Sequence, residues 1–194
     1  STLDRSSAAS DVYKRQTYCV LDLETTGLSF RTEKITEIGI MKMNEKGEVI
    51  DEFECFVNPE KPIPQRVVEV TNITDDMVKD AETIDKVMPK VLEFVGDSVI
   101  VAHNADFDVG FLKYNAKQLG LSLDNTYLDT LRLAKDLFPD FKKYKLGIIA
   151  DKLGIEVLVA HRALDDVDTT VKVFRVMLNM LEEKGAKTIE DIDK

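Results

Sequence analysis

An apolar, β-forming run, Tyr18-Cys19-Val20-Leu21, passes into the alternation Asp22-Leu23-Glu24 and ends at Thr25-Thr26-Gly27. This pattern predicts a strand over 17–24 that stops at a turn. A second strand is expected at Ile35–Met43. The turn Asn44-Glu45-Lys46-Gly47 and a third strand over 48–57 then complete an antiparallel meander. The segment 58–64 carries Pro59, Pro62 and Pro64 and reads as a loop.

Beyond this point the period changes. Thr74 is placed to cap a short helix at 75–77, and a longer helix is expected at 84–94. A short buried strand at 98–102 precedes a helix over 105–119 that Gly120 ends. A brief strand at Tyr127–Asp129 leads to a helix at Thr130–Leu137, broken at Pro139. A further helix covers 146–153, and the last, 163–184, stops at Gly185. A meander of strands followed by β-α alternation implies an α/β fold, a mixed sheet of about five strands flanked by helices. No internal repeat is visible.

Strand side chains alternate faces, so Asp22 and Glu24 point the same way, with Leu21 and Leu23 behind them. Two adjacent carboxylates repel, and their burial costs several kcal/mol unless a positive group lies between them. A divalent cation is the simplest such group. Asp22-x-Glu24 therefore reads as half of an oxygen-ligand metal site.

The other half is sought at Val101-Ala102-His103-Asn104-Ala105-Asp106-Phe107-Asp108, where a strand meets a helix. At about 100° per residue, Asp108 falls within the face shared by Phe107, Phe111, Tyr114 and Asn115, and Asp106 falls outside it. An acid on the core side is the informative one; Asp106 is explained as a helix-start acid. A third signal is His161-Arg162-Ala163-Leu164-Asp165-Asp166-Val167-Asp168. On the last helix Asp165 lies opposite the apolar stripe. Asp166 and Asp168 flank that stripe, and helical phase does not choose between them. His161 precedes the helix, on a loop, with a near-neutral side chain suited to taking a proton from water.

Composition narrows the function classes. The 194 residues suit one domain, with 44% hydrophobic and 32% charged residues. No apolar run is long enough for a membrane span and no signal peptide is visible, so no membrane partner is expected. Cys19 and Cys55 both fall in strands and read as reduced residues of a cytoplasmic protein. The net charge of −10 argues against broad duplex binding, but not against an acidic site that meets phosphate through metal ions. Residues 1–16 are polar and Ser/Ala-rich and read as a disordered leader, linker or cloning-derived segment. Residues 17–185 form the domain, and 186–194 read as the start of a linker into a larger parent protein.

Asp22-x-Glu24-Thr25-Thr26-Gly27, then His103-Asn104-Ala105-x-Phe107-Asp108-x-x-Phe111-Leu112, then His161 with an Asp five residues on, resemble the three motifs of the DEDDh (DnaQ-like) 3′→5′ exonucleases. Val70-Thr71-Asn72-Ile73-Thr74-Asp75-Asp76-Met77-Val78 and Asp129-Thr130-Leu131-Arg132-Leu133-Ala134 look most like the proofreading exonuclease domain of PolC-type bacterial replicative polymerases. The resemblance spans about 17–181.

This likeness implies an RNase H-like fold and selects Asp166 over Asp168. It implies two divalent ions, Mg²⁺ or Mn²⁺, held by Asp22, Glu24, Asp108 and Asp166, with His161 as general base. The implied activity is release of nucleoside 5′-monophosphates from single-stranded or frayed DNA 3′ ends, as part of, or associated with, a DNA polymerase. Thr25, Thr26, Gly27, Leu28 and Asn104 are the expected contacts to the terminal nucleotide, and Leu28 or Phe30 would stack on its base. Turn chemistry is the alternative role for the threonines and glycine. A supporting or structural role is the alternative for Asn104, and is also expected of Glu37 and Asp129. Lys142-Lys143-Tyr144-Lys145 reads either as a phosphate contact or as a solvated cluster. One departure is Thr71-Asn72, where many relatives carry His-Gly. Competing readings are an RNA 3′→5′ exonuclease, a non-catalytic binding module and a metal phosphatase acting on small esters.

Overall fold

The structure, a computed structural model, describes residues 16–158 and 162–185. The expectations for 1–16 and 186–194 fall, apart from Gln16, outside the described residues. Strands β1 (Tyr18–Thr25), β2 (Ile35–Met43) and β3 (Val49–Phe56) form the antiparallel meander. Strands β4 (Val99–Ala102) and β5 (Tyr127–Asp129) add in parallel on the far side of β1, giving the order β3-β2-β1-β4-β5. The β2–β3 turn closes on Asn44, whose side-chain oxygen accepts the N–H groups of Lys46 and Glu48 at 3.0 Å each. Gly47 supplies the positive φ of 81° that this turn needs.

Seven helices accompany the strands among the described residues: α1 (Gln65–Thr71), α2 (Asp75–Val78), α3 (Ile84–Val95), α4 (Ala105–Gln118), α5 (Thr130–Leu137), α6 (Leu146–Lys152) and α7 (Ala163–Glu183). Period-two alternation assigns the two faces of the sheet. Cys19, Leu21, Leu23, Ile38, Ile40 and Ile100 pack against Val91 and Val95 of α3 and Phe111 and Leu112 of α4. Tyr18, Val20, Met41, Met43, Val99 and Val101 face α5, α6 and α7. The result is three layers, helix on sheet on helix. No helix among the described residues is long and apolar enough to cross a membrane.

Helix α1 departs from the sequence expectation, which placed no element at 65–71. Its Val67, Val68 and Val70 disfavour an isolated helix. Val67 and Val68 gain by packing on the small cluster of Ile63, Ile73 and Val78, and tertiary burial overrides propensity. The helix ends at Asn72 with a left-handed φ of 58°. Asn tolerates that conformation better than most residues.

Parallel β1 and β4 finish at the same edge of the sheet. α4 starts immediately beyond β4, and α7 crosses β1 and β2 from the opposite face. That edge is where the chemistry-bearing residues meet.

Candidate active site

Strand β1 delivers two carboxylates to the α7 side of the sheet. In the ladder with β2, Asp22 lies opposite Gly39 and Glu24 opposite Glu37. Gly39 leaves a hollow that α7 occupies. A Cβ there would fall 2.8 Å from the Leu164 nitrogen and 2.9 Å from the Ala163 carbonyl carbon. Glu37, two residues earlier on the same face and only 6% exposed, accepts the Ala163 N–H at 2.7 Å. Its other oxygen lies 3.8 Å from the Arg162 guanidinium. A carboxylate at this position satisfies an otherwise orphaned helix-terminal donor and complements the helix dipole. Hollow and acceptor together seat the first turn of α7 against β1.

Asp166, on that first turn, thereby joins Asp22 and Glu24. Their ligand oxygens all lie within 4.8 Å of one another. Asp165 is turned back on the helix start, where it accepts the Arg162 N–H at 3.3 Å. Asp168 pairs with Lys172 at 2.9 Å. Asp108 comes from α4 on the other face. It is 3% exposed and accepts the Leu23 N–H at 3.2 Å, so it is tied to β1 between the two strand acids but is not a member of the three-oxygen group. Asp106 is exposed and accepts the Tyr127 hydroxyl at 2.7 Å. His161 lies outside the described residues.

Asp22, Glu24, Glu37 and Asp108 hold their protons more tightly than free carboxyls do. Burial, then the neighbouring Asp108, Glu24 and Asp166, push Asp22 well above the usual carboxylate range. Asp108 is likewise raised, mainly by burial and against the Leu23 N–H that favours its anion. Burial, Asp166 and Glu37 push Glu24 up to about 7, with Arg162 pulling the other way. Glu37 is raised by burial and opposed by the Ala163 N–H and Arg162. At an effective dielectric of about 20, two unit charges nearly 5 Å apart repel by roughly 3 kcal/mol. Several such pairs rival the whole stability of a domain of this size. Asp22 Oδ2 is buried without a hydrogen-bond partner. An all-oxygen donor set with a buried unpartnered oxygen fits a hard divalent cation.

The turn after β1 is organised internally. Thr25 donates its hydroxyl proton to the Gly27 carbonyl at 2.7 Å. Thr26, fully buried, donates to Glu33 at 2.6 Å and accepts the Lys34 N–H at 2.9 Å. At Gly27 a Cβ would fall 2.7 Å from the Glu33 Cγ, so a side chain there would displace Glu33 from Thr26. Leu28 projects from this turn with 86% of its surface exposed. Phe30 leans on Tyr114 with ring centroids 5.3 Å apart and lies directly over Gly110. Phe107 packs against the core through Phe111. Asn104 starts α4 in a left-handed conformation, φ 64°, with its backbone N–H on Asp129. Asp129 also accepts the Leu131 N–H at 2.9 Å and so caps α5. The His103 ring is fixed between the Thr130 hydroxyl at 2.9 Å and the Tyr144 carbonyl at 2.7 Å.

Sequence reasoning understated Glu37 and did not single out Gly39. The signal was present, since an acid and a glycine share one face of a largely apolar strand. What they dock, however, lies about 125 residues further along the chain, in α7.

The family model RNase_T, described as Exonuclease, matches residues 19–174. The chain is 46% identical over 176 residues to a DNA polymerase III PolC-type of Caldanaerobacter subterraneus subsp. tengcongensis, covering 91% of this chain and 12% of that protein. It is 47% identical over 167 residues to the DNA polymerase III PolC-type of Clostridium perfringens, covering 86% of this chain and again 12% of that protein. The chain thus spans about an eighth of the length of these relatives. Among solved structures, exonuclease X in complex with 5′ overhanging duplex DNA superposes with a TM-score of 0.69 at 27% identity, covering 84% of this chain and 92% of the other.

Proposed function

The chain belongs to this exonuclease family, and on that premise we propose that it is a metal-dependent 3′→5′ exodeoxyribonuclease, the proofreading domain of a PolC-type replicative polymerase. The observation that carries the proposal is the group of Asp22, Glu24 and Asp166 at the sheet edge, with a buried, unpartnered oxygen on Asp22. Its substrate is a single-stranded or frayed DNA 3′ end.

Two divalent ions, Mg²⁺ or Mn²⁺, would supply an activated water and neutralise the charge that develops on the leaving oxygen. Asp22, Glu24 and Asp166 would hold these ions, with Asp22 shared, and Asp108 would support them directly or through water. His161 takes the proton from the water, whose oxygen attacks the terminal phosphorus. The bond from phosphorus to the 3′ oxygen of the preceding nucleotide breaks, and that oxygen takes a proton from solvent. The products are a nucleoside 5′-monophosphate and a strand one nucleotide shorter. The Thr25-Thr26-Gly27 backbone, exposed Leu28 and Asn104 receive the terminal nucleotide. Because the two threonine hydroxyls donate within the turn, the backbone and Leu28 carry that contact.

The test is digestion of 5′-labelled single-stranded DNA, and of RNA of the same sequence, with Mg²⁺ or Mn²⁺. DNA should shorten stepwise from its 3′ end, and His161→Ala should slow this by about 10²-fold or more, the usual scale for a lost general base. Degradation of RNA alone would transfer the assignment to an RNA exonuclease. Cleavage of neither would leave a binding module.

A further inference from the structure

We propose that the groove beside the acid cluster is the track for the DNA strand upstream of the scissile phosphate, with Lys135, Lys142, Lys143 and Lys145 contacting its phosphates. The inference rests on the exonuclease reading and extends it to nucleotides away from the reacting centre.

The groove is a cavity of about 600 Å³ between α5, the segment leading into α6, and the strand end at His103 and Asn104. All four lysines line it and are exposed. Among the described residues none of them makes an ion pair, in a chain whose net charge is −10. Four unneutralised cations gathered in one groove of an acidic protein are a local reversal of its field, suited to a polyanion.

Position ties the groove to the chemistry. In the parallel ladder Val20 lies opposite Val101. That pair is the last of the ladder; Asp22 follows Val20 by two residues within β1, and His103 follows Val101 by two residues just past the end of β4, so both lie at the same edge of the sheet. The His103 ring holds the Tyr144 carbonyl at 2.7 Å, which anchors the lysine-bearing segment at that edge. The segment is stiffened from within. Tyr144 donates its hydroxyl to the Phe138 carbonyl at 2.7 Å, and Phe138 and Phe141 stack with centroids 4.9 Å apart. The lysines therefore stand on a preformed wall at the end of β4, the strand that pairs with β1. A strand whose 3′ end lies over Asp22 meets them with its preceding phosphates.

The experiment compares wild type with Lys142→Ala/Lys143→Ala/Lys145→Ala on two substrates. One is a single-stranded DNA oligonucleotide; the other is the p-nitrophenyl ester of thymidine 5′-monophosphate, which has no upstream phosphates. The triple variant should raise the oligonucleotide KM roughly tenfold at about 0.1 M salt and reduce the slope of log KM against log salt by about 2, with kcat retained. Hydrolysis of the nitrophenyl ester should stay within about twofold of wild type. An unchanged oligonucleotide KM and salt slope would overturn the proposal and return the lysines to ordinary solvated charges, or to a protein partner. Equal losses on both substrates would also overturn it, because the lysines would then act on the reacting centre or on the fold. Wild type that hydrolyses neither substrate would instead sink the exonuclease reading itself, and the groove's role with it.

Discussion

Asp22 and Lys143 belong to the same end of the molecule, yet they are built into it differently. Asp22 sits in a strand with one oxygen sealed from any partner, among carboxylates delivered by β1, α4 and α7. Lys143 stands in water on a loop that a histidine and a ring stack hold in place. The acid pocket keeps charges where the folded chain alone opposes them, which yields strong, short-range field at the cost of stability. The lysine groove leaves its charges solvated, so they cost the fold little and act weakly on any one phosphate. Under the functions proposed for them, a site that stabilises a reaction and a site that guides a flexible strand are served by opposite degrees of burial.

The sharpest break of this contrast is Asp22→Asn. Activity should fall by about 10²- to 10³-fold, the scale of losing one preorganised electrostatic group in a water-poor site. The metal-free protein should at the same time melt higher than wild type at about pH 8, because an uncomplemented charge has been removed. A lower melting temperature would mean that the pocket does not strain the fold.

Gly39→Ala tests whether the pocket depends on where α7 sits. The added methyl meets backbone, not a flexible side chain, so helix and strand must part. We expect about 10- to 100-fold lower activity in Mg²⁺, as for other residues that orient metal ligands, and a destabilisation of about 1–3 kcal/mol from overpacking. Wild-type activity in this variant would show that Asp166 reaches Asp22 without the hollow.

The pH dependence of the metal-free protein is a smaller effect with a defined sign. Glu24 is raised from 4.5 to about 7, and Asp22 and Asp108 are raised too. An acid with a raised folded value binds its proton more tightly when folded. Its contribution is complete below the unfolded value and is lost as pH climbs through the folded one. For Glu24 that window runs from about 4.5 to about 7. Thermal unfolding in a chelator should therefore show a lower Tm at about pH 8 than at about pH 5, and Mg²⁺ should close most of the gap. A Tm that rises over the same interval would contradict the assigned shifts. Smallest of all should be the stability change in the triple lysine variant, within about 0.5 kcal/mol of wild type as for other solvated surface charges.

Much of this architecture was legible in the chain because its signals are local. The apolar run and Asp22-Leu23-Glu24 alternation of 18–24, the Asn44–Gly47 turn and the glycines after α4 and α7 each act within a few residues, and the elements they mark are all present. Helical phase alone separated buried Asp108 from exposed Asp106. Phase did not distinguish Asp166 from Asp168, because both flank the same stripe. The structure puts Asp166 among the acids and Asp168 on Lys172. Helix α1 was missed because its β-branched valines argue locally for a strand, whereas burial against Ile63, Ile73 and Val78 decides for a helix.

The sequence by itself therefore determined the strands, most of the helices and the candidacy of Asp22, Glu24 and Asp108, since periodicity and motif spacing are written in neighbouring residues. Only the tertiary structure decided that Glu37 and Gly39 seat α7, and that the lysines of 142–145 stand beside β4 at the acid edge. Those facts join residues from about 40 to 125 positions apart in the chain, and no local pattern encodes which distant surfaces will meet.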